Sequence, residues 1–229
     1  MHANTQPNEL PISKRSFIRN QQLRQTNNRN KGAAMSNVVV IYCHPYERSF
    51  NHAVLRTVVE ALNEQGHETH VIDLHDEGFN PAYDAEELRL FHEGDTHDPQ
   101  VSAYLSMLRR ADTAVFITPI WWNSIPGMLK GFIDKVMKEG EGLSHTIGRF
   151  GVQGELTNIK HTYVLTTSTS PTLFFRLFLG GGVKRIFINQ TLKQLGMQHR
   201  RWINFGGITA STPQQRKRHL AKIATMQFE

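Results

Sequence analysis

The sequence predicts an α/β fold: a three-layer sandwich whose central five-stranded parallel sheet has the strand order 2-1-3-4-5. Short β-branched and apolar runs recur five times, and segments with apolar residues at helical spacing separate them. Glycine and other turn formers punctuate the two kinds of segment. Strands that alternate with helices imply parallel pairing, with helices on both faces.

The elements begin at Asn37. Asn37 to Cys43 reads NVVVIYC, which suits a buried parallel strand. Ser49 to Gln65 follows as a helix: Phe50, Val54, Val58, Ala61 and Leu62 share one face, and Gly66 ends it. His67 to Leu74 is the second strand. Residues 84–93 form a short helix, and Gln100 to Ala111 a longer one with Val101, Tyr104, Leu105 and Leu108 in phase. Thr113 to Thr118 is the third strand. Ile125 to Lys138 is the clearest helix, with Ile125, Leu129, Phe132, Ile133, Val136 and Met137 on one face. Residues 139–160 are glycine-rich and read as a loop or hairpin. His161 to Thr167 is the fourth strand. A long loop then reaches Gly182, residues 183–195 form a helix, Met197 to Phe205 the fifth strand, and residues 212–226 the closing helix. In this strand order ligands bind at the carboxyl ends of strands one and three.

Composition narrows the function. The 229 residues are 39% hydrophobic and 20% charged, an ordinary globular balance. No run of 18 apolar residues reads as an integral membrane segment. The pI of about 9.6 is misleading. Residues 1–34 hold six basic residues and one acidic one, or +5 of the chain's +6. Residues 35–229 are therefore close to neutral, and no nucleic-acid partner is expected. Residues 1–34 are rich in Asn, Gln and Arg, too polar to offset the entropy of ordering, and are expected to be a disordered extension. Few serines and weak amphipathic periodicity count against a transit peptide. The lone Cys43 permits no intrachain disulfide and fits a reducing, cytoplasmic compartment.

Three loops meet at the switch point. The first reads His44-Pro45-Tyr46-Glu47-Arg48-Ser49-Phe50-Asn51. Ser49 is a suitable N-cap, and the amides behind it form an anion site to which His44 and Arg48 add positive charge. The loop has neither a Walker nor a G-x-G-x-x-G signature. The second contains Pro119, Ile120, Trp121, Trp122 and Asn123. If that backbone is extended, one tryptophan packs inward and the other presents a wall to a flat ligand. The third runs from Thr166 and Thr167 to Pro171 and offers hydroxyls to a polar ring edge.

Residues 44–51, HPYERSFN, and 119–136, PIWWNSIPGMLKGFIDKV, resemble the NAD(P)H:quinone oxidoreductase family over roughly residues 37–225. That family has a flavodoxin-like fold and includes quinone reductases and the ancillary subunits of potassium-efflux systems. The resemblance implies a homodimer with a flavin, FMN or FAD, near the subunit interface. It implies that His44, Ser49, Phe50 and Asn51 hold the flavin phosphate region. Pro119, Ile120, Trp121, Trp122 and Asn123 would line the ring, with Thr166 and Thr167 at its pyrimidine edge. Mammalian members continue the third loop with paired glycines, a tyrosine and a histidine that assist hydride transfer. Here it reads STSPTLFFR, so that pair does not carry over and the catalytic residues stay open.

The expected activity is ping-pong transfer of a hydride from NAD(P)H through flavin to a quinone or similar flat acceptor. An electron-carrier flavodoxin fits poorly, because those proteins are usually strongly acidic. A regulatory subunit touching a membrane transporter is the remaining alternative. His92, His97 and Asp98 lack metal-site spacing and read as a solvated polar loop, so no metal is expected. Asp134 and Lys135 read as surface ion pairs, and Cys43 as a small buried residue.

Overall fold

A computed structural model describes residues 35–229. The expected disordered extension, residues 1–34, lies outside the described residues. The sheet comprises β1 (Asn37–Tyr42), β2 (Glu68–Asp73), β3 (Thr113–Pro119), β6 (His161–Ser168) and β7 (Arg200–Gly206), in the order β2-β1-β3-β6-β7. All four ladders are parallel, and Val40 pairs with Val71 on one side and Val115 on the other. Strands β4 (His145–Gly148) and β5 (Gly151–Gly154) form a separate antiparallel hairpin within the glycine-rich stretch. Apart from that hairpin, the order is the expected 2-1-3-4-5.

Alternation along the strands divides the core. Val38, Val40, Tyr42, Val115, Ile117 and Leu165 pack against α1 (Phe50–Glu64) and α7 (Pro213–Ala224). Val39, Ile41, Ala114, Phe116 and Val164 face α3 (Pro99–Arg110) and α4 (Gly127–Val136). Gly131 of α4 abuts Pro81 so closely that an added Cβ would fall 2.3 Å from the Pro81 carbonyl oxygen. The glycine of the LKGF run therefore serves helix packing. Cys43 is buried, and desolvation pushes its thiol up to about 12, so it is inert at neutral pH.

Two stretches differ from expectation. The long loop before Gly182 contains α5 (Thr172–Phe178). Only Phe175 of that helix is buried, and Leu173, Phe174, Leu177 and Phe178 are exposed, so its apolar residues mark no clean stripe. The expected helix 183–195 is π-helical over Val183–Thr191 and ends in α6 (Leu192–Gln194). Periodicity locates a helix but does not separate a 3.6-residue turn from a wider one.

Polar groups assigned to the surface instead hold residues 80–98 in place. Lys135 is 4% exposed; it donates to the Asn80 carbonyl at 2.9 Å and pairs with Asp98 at 3.0 Å. Asp98 also caps α3. Glu87, on α2 (Ala85–Leu90), pairs with Lys138, and each side chain is 1% exposed. Thr96 donates to Glu87 at 2.7 Å, and His97 approaches it at 3.3 Å. The His97–Asp98 segment is thus a clamp partner. Among the described residues no group of three or more His, Cys, Asp or Glu is placed to hold a metal.

His219 of α7 lies against Phe50 and Phe205, and its Nε2 is buried with no partner among the described residues. Burial, helped by the Lys222 charge, pushes its pKa down to about 3. The unfolded ring titrates near 6.5, so below that value the unfolded chain binds the extra proton. The stability that a neutral His219 supports is present above about pH 6.5 and is lost as pH falls towards about 3. Denaturation midpoints at pH 7 and pH 5 should fall more for the wild type than for His219→Leu. Equal falls would show that the ring takes up its proton without cost.

Candidate functional site

The carboxyl ends of β1, β3 and β6 bring the three loops together. In the first, the Ser49 hydroxyl caps α1 by accepting from the His52 amide at 3.1 Å. The amides of Phe50 and Asn51 precede the first helical bonds and have no acceptor among the described residues. They sit at the positive end of a fifteen-residue helix. His44 Nδ1 accepts from the Tyr46 amide at 3.1 Å, so a neutral ring carries its proton on Nε2. Burial, followed by repulsion from His75, lowers the His44 pKa below 6.5. His44 therefore offers a hydrogen-bond donor at neutral pH and not the positive charge expected of it. Arg48 is exposed, with its guanidinium 5.4 Å from the Tyr46 ring centre.

The second loop is a tight turn and not an extended strand. Trp121 and Ser124 exchange reciprocal backbone hydrogen bonds of 3.0 Å. Trp122 and Asn123 have φ of 48° and 63°, the signature of a type I′ turn. Asparagine tolerates that region; for a bulky tryptophan it costs about 1–3 kcal/mol. Neither tryptophan packs into the core: Trp121 is 44% exposed and Trp122 99%. Trp121 meets His44 edge-on at 6.1 Å, which joins the first two loops. Pro119 is buried at the end of β3, and Ile120 packs against the core.

At the end of β6, Thr166 and Thr167 point to opposite faces of the sheet. The Thr166 hydroxyl accepts from Trp202 Nε1 at 2.9 Å and donates to Asn204 Oδ1 at 2.8 Å, so it is fully used inside the protein. Thr167 faces α1 and accepts from Asn51 Nδ2 at 2.9 Å. Asn51 is buried, and its Oδ1 has no partner among the described residues. An unsatisfied buried acceptor costs about 1–3 kcal/mol. This one suits a ligand hydroxyl or N–H and does not suit a phosphate oxygen. The His44–Trp121 contact and the Asn51–Thr167 hydrogen bond tie the three loops together, and the free amides at the start of α1 fit the anionic tail of a ligand.

A family model for the flavodoxin-like fold matches residues 36–226. The chain belongs to the flavodoxin-like fold family. It is 31% identical over 153 residues to the ribosyldihydronicotinamide dehydrogenase-like protein traD of Penicillium crustosum, covering 56% of each chain. It is 27% identical over 158 residues to NAD(P)H dehydrogenase (quinone) 1 of Rattus norvegicus, covering 62% of this chain and 57% of the relative. The matched stretches thus span little more than half the length of these curated relatives. Among solved structures, Smu.1420 of Streptococcus mutans superposes with a TM-score of 0.72 at 26% identity, covering 82% of this chain and 96% of that one. No helix of the described residues is long and apolar enough to cross a membrane.

Sequence reasoning missed one property of this flavodoxin-like chain. The near-zero charge of residues 35–229 conceals a segregation. Residues 35–155 carry nine Lys and Arg against eighteen Asp and Glu, whereas residues 156–228 carry eleven Lys and Arg and no carboxylate side chain. Summing over the domain erased a signal that a running count exposes.

Proposed function

We propose that the protein is a flavin-dependent NAD(P)H oxidoreductase that reduces a quinone or a similar flat acceptor in ping-pong fashion. One observation carries the reading: the amides of Phe50 and Asn51 are free at the start of α1, and the loop that leads into them meets the exposed tryptophan turn through the His44–Trp121 contact. A bound flavin, FMN or FAD, supplies hydride acceptance and release, chemistry that protein side chains do not perform alone.

The chain's own residues supply binding and orientation. The Phe50 and Asn51 amides receive the anionic tail, with Ser49 holding the helix start and Arg48 adding charge. The N–H at His44 Nε2 donates towards the same region. Asn51 Oδ1 accepts from a ligand hydroxyl or N–H. Pro119 and Ile120 form the floor beneath the ring system, and Trp121, Trp122 and Asn123 form its wall. The Thr167 hydroxyl proton is available to a polar ring edge. Thr166, spent on Trp202 and Asn204, positions that strand end. With no tyrosine–histidine pair in the third loop, stabilisation of developing negative charge rests on hydroxyl and amide donors. The names of the relatives, which mention nicotinamide and quinone, support the substrate classes. The exposed Leu173, Phe174, Leu177 and Phe178 of α5 support a homodimer that covers them.

The visible spectrum of the purified protein, titrated with FMN and with FAD, tests the reading. Flavin absorbance with saturable binding is expected, and Asn51→Ala should weaken it about fivefold, the loss of one neutral hydrogen bond. A protein that takes up neither flavin would sink the proposal.

A further inference from the structure

Three of the cations of residues 156–228, Arg176, Lys184 and Arg185, flank the Gly180–Gly182 turn in sequence. The Gly180–Gly182 turn lies against the tryptophan turn: a Cβ on Gly182 would fall 2.9 Å from the Asn123 carbonyl oxygen. Gly180 and Gly181 have φ of 74° and 57°, and the turn joins α5 to the π-helical segment. A Cβ on Gly181 would meet the Arg176 backbone at 3.5 Å and the Arg185 Cδ at 4.0 Å. The Arg176 backbone and the Arg185 side chain therefore both approach Gly181, and Lys184 precedes Arg185. Both arginines are exposed. None of the three cations has an ion-pair partner among the described residues. No carboxylate side chain stands anywhere between Leu156 and Phe228 to neutralise them.

Uncompensated guanidinium groups beside a glycine turn suit a phosphate dianion, to which arginine binds through two parallel N–H donors. In the reading above, the free amides at the start of α1 answer the anionic tail of the flavin. A second anion entering this cleft comes with the nicotinamide co-substrate. The two forms of that co-substrate differ by one group, the 2′-phosphate. A site for the unphosphorylated form places a carboxylate to accept from the ribose 2′-hydroxyl; a site for the phosphorylated form places cations there. The stretch on either side of the Gly180–Gly182 turn, like all of residues 156–228, has cations and no carboxylate side chain.

We propose that Arg176, Lys184 and Arg185 form a 2′-phosphate site that makes the enzyme selective for NADPH over NADH. The proposal rests on the oxidoreductase reading of the cleft. Arg176 and Arg185 are the specificity-determining residues, and the positive field of the β6–β7 half guides the nucleotide to them.

The experiment pairs binding with turnover, on the full chain loaded with flavin. Calorimetry at low salt compares 2′,5′-ADP, the phosphorylated end of NADPH, with 5′-ADP. Binding of 2′,5′-ADP is expected to be at least about tenfold tighter, the effect of one charge-assisted contact. The advantage should shrink as salt is raised and should disappear in Arg176→Ser/Arg185→Ser. Both positions are exposed, so that variant keeps the fold and its 5′-ADP affinity. In turnover, kcat/KM for NADPH should fall in the variant by a similar factor while that for NADH holds. Equal affinity for the two nucleotides, or an advantage that survives the double substitution, overturns the site even if NADH is oxidised. A 2′,5′-ADP advantage lost in the variant upholds the site even if neither nucleotide is oxidised; that result would instead overturn the oxidoreductase reading.

Discussion

Lys138→Met should destabilise the protein by about 3–5 kcal/mol, the range for removing one partner of a buried ion pair. Lys138 and Glu87 are each 1% exposed, and the ammonium lies 5.9 Å from the Tyr83 ring centre and 5.8 Å from that of Phe91. The substitution leaves the carboxylate buried with the Thr96 hydroxyl and, at 3.3 Å, the His97 ring. For a domain of this size 1 kcal/mol moves Tm by roughly 2–4 °C, so a fall of roughly 6–20 °C is expected. The double substitution Lys138→Met/Glu87→Leu removes the stranded charge as well and should recover most of the loss. Thermal melts of the three proteins decide the matter. If the double variant is no more stable than Lys138→Met, the penalty is lost packing and not an uncompensated charge.

Trp122→Gly should act in opposite directions on stability and on binding. The indole is 99% exposed and its φ is 48°, so the side chain strains its backbone and buries nothing in return. Relief of about 1–3 kcal/mol, less about 0.5–1 kcal/mol for glycine's greater freedom in the unfolded chain, leaves a net gain of about 1 kcal/mol. Flavin affinity should fall severalfold, because an aromatic contact contributes about 0.5–1.5 kcal/mol beyond its buried area. Urea denaturation and flavin titration of the same preparation read both effects. A variant that loses stability while keeping its flavin would mean that Trp122 is held in place by another protein surface.

The legible parts of this chain were those whose physics is local. The β-branched run at Asn37–Tyr42 and the amphipathic phase of Gly127–Val136 report burial directly, and alternation of such segments dictates parallel pairing. The N-cap at Ser49 was visible because a short hydroxyl at the start of an apolar phase has one structural use. Long-range pairing was not legible. Lys135 and Lys138 look like solvated lysines until Asp98 and Glu87 arrive from other parts of the chain. The left-handed Trp122 was hidden because glycine and asparagine usually occupy such turns, so a tryptophan there leaves no compositional trace. Thr166 and Thr167 look alike in sequence, yet the two-residue period of a strand sends one hydroxyl inward to Asn204 and the other towards Asn51.

Strand order also governs how the chain must assemble. β1, which enters the sheet first, stands between two neighbours, and none of the sheet's ladders is local. Asn37 pairs with Glu68, Val38 with Thr113, Thr113 with His161, and Thr162 with Arg200. Each ladder closes a long loop before its first hydrogen bond forms, an entropy cost that slows folding. On the ribosome the NVVVIY segment must wait until Thr113–Pro119 has emerged before its second edge is covered. In that interval it is a flat, uncharged β-forming stretch with unpaired backbone, the kind of segment on which chaperones act and from which aggregates nucleate. Helix α1 emerges between the two strands and packs on the Val38, Val40 and Tyr42 face, so it can shield half of that surface before the sheet is complete.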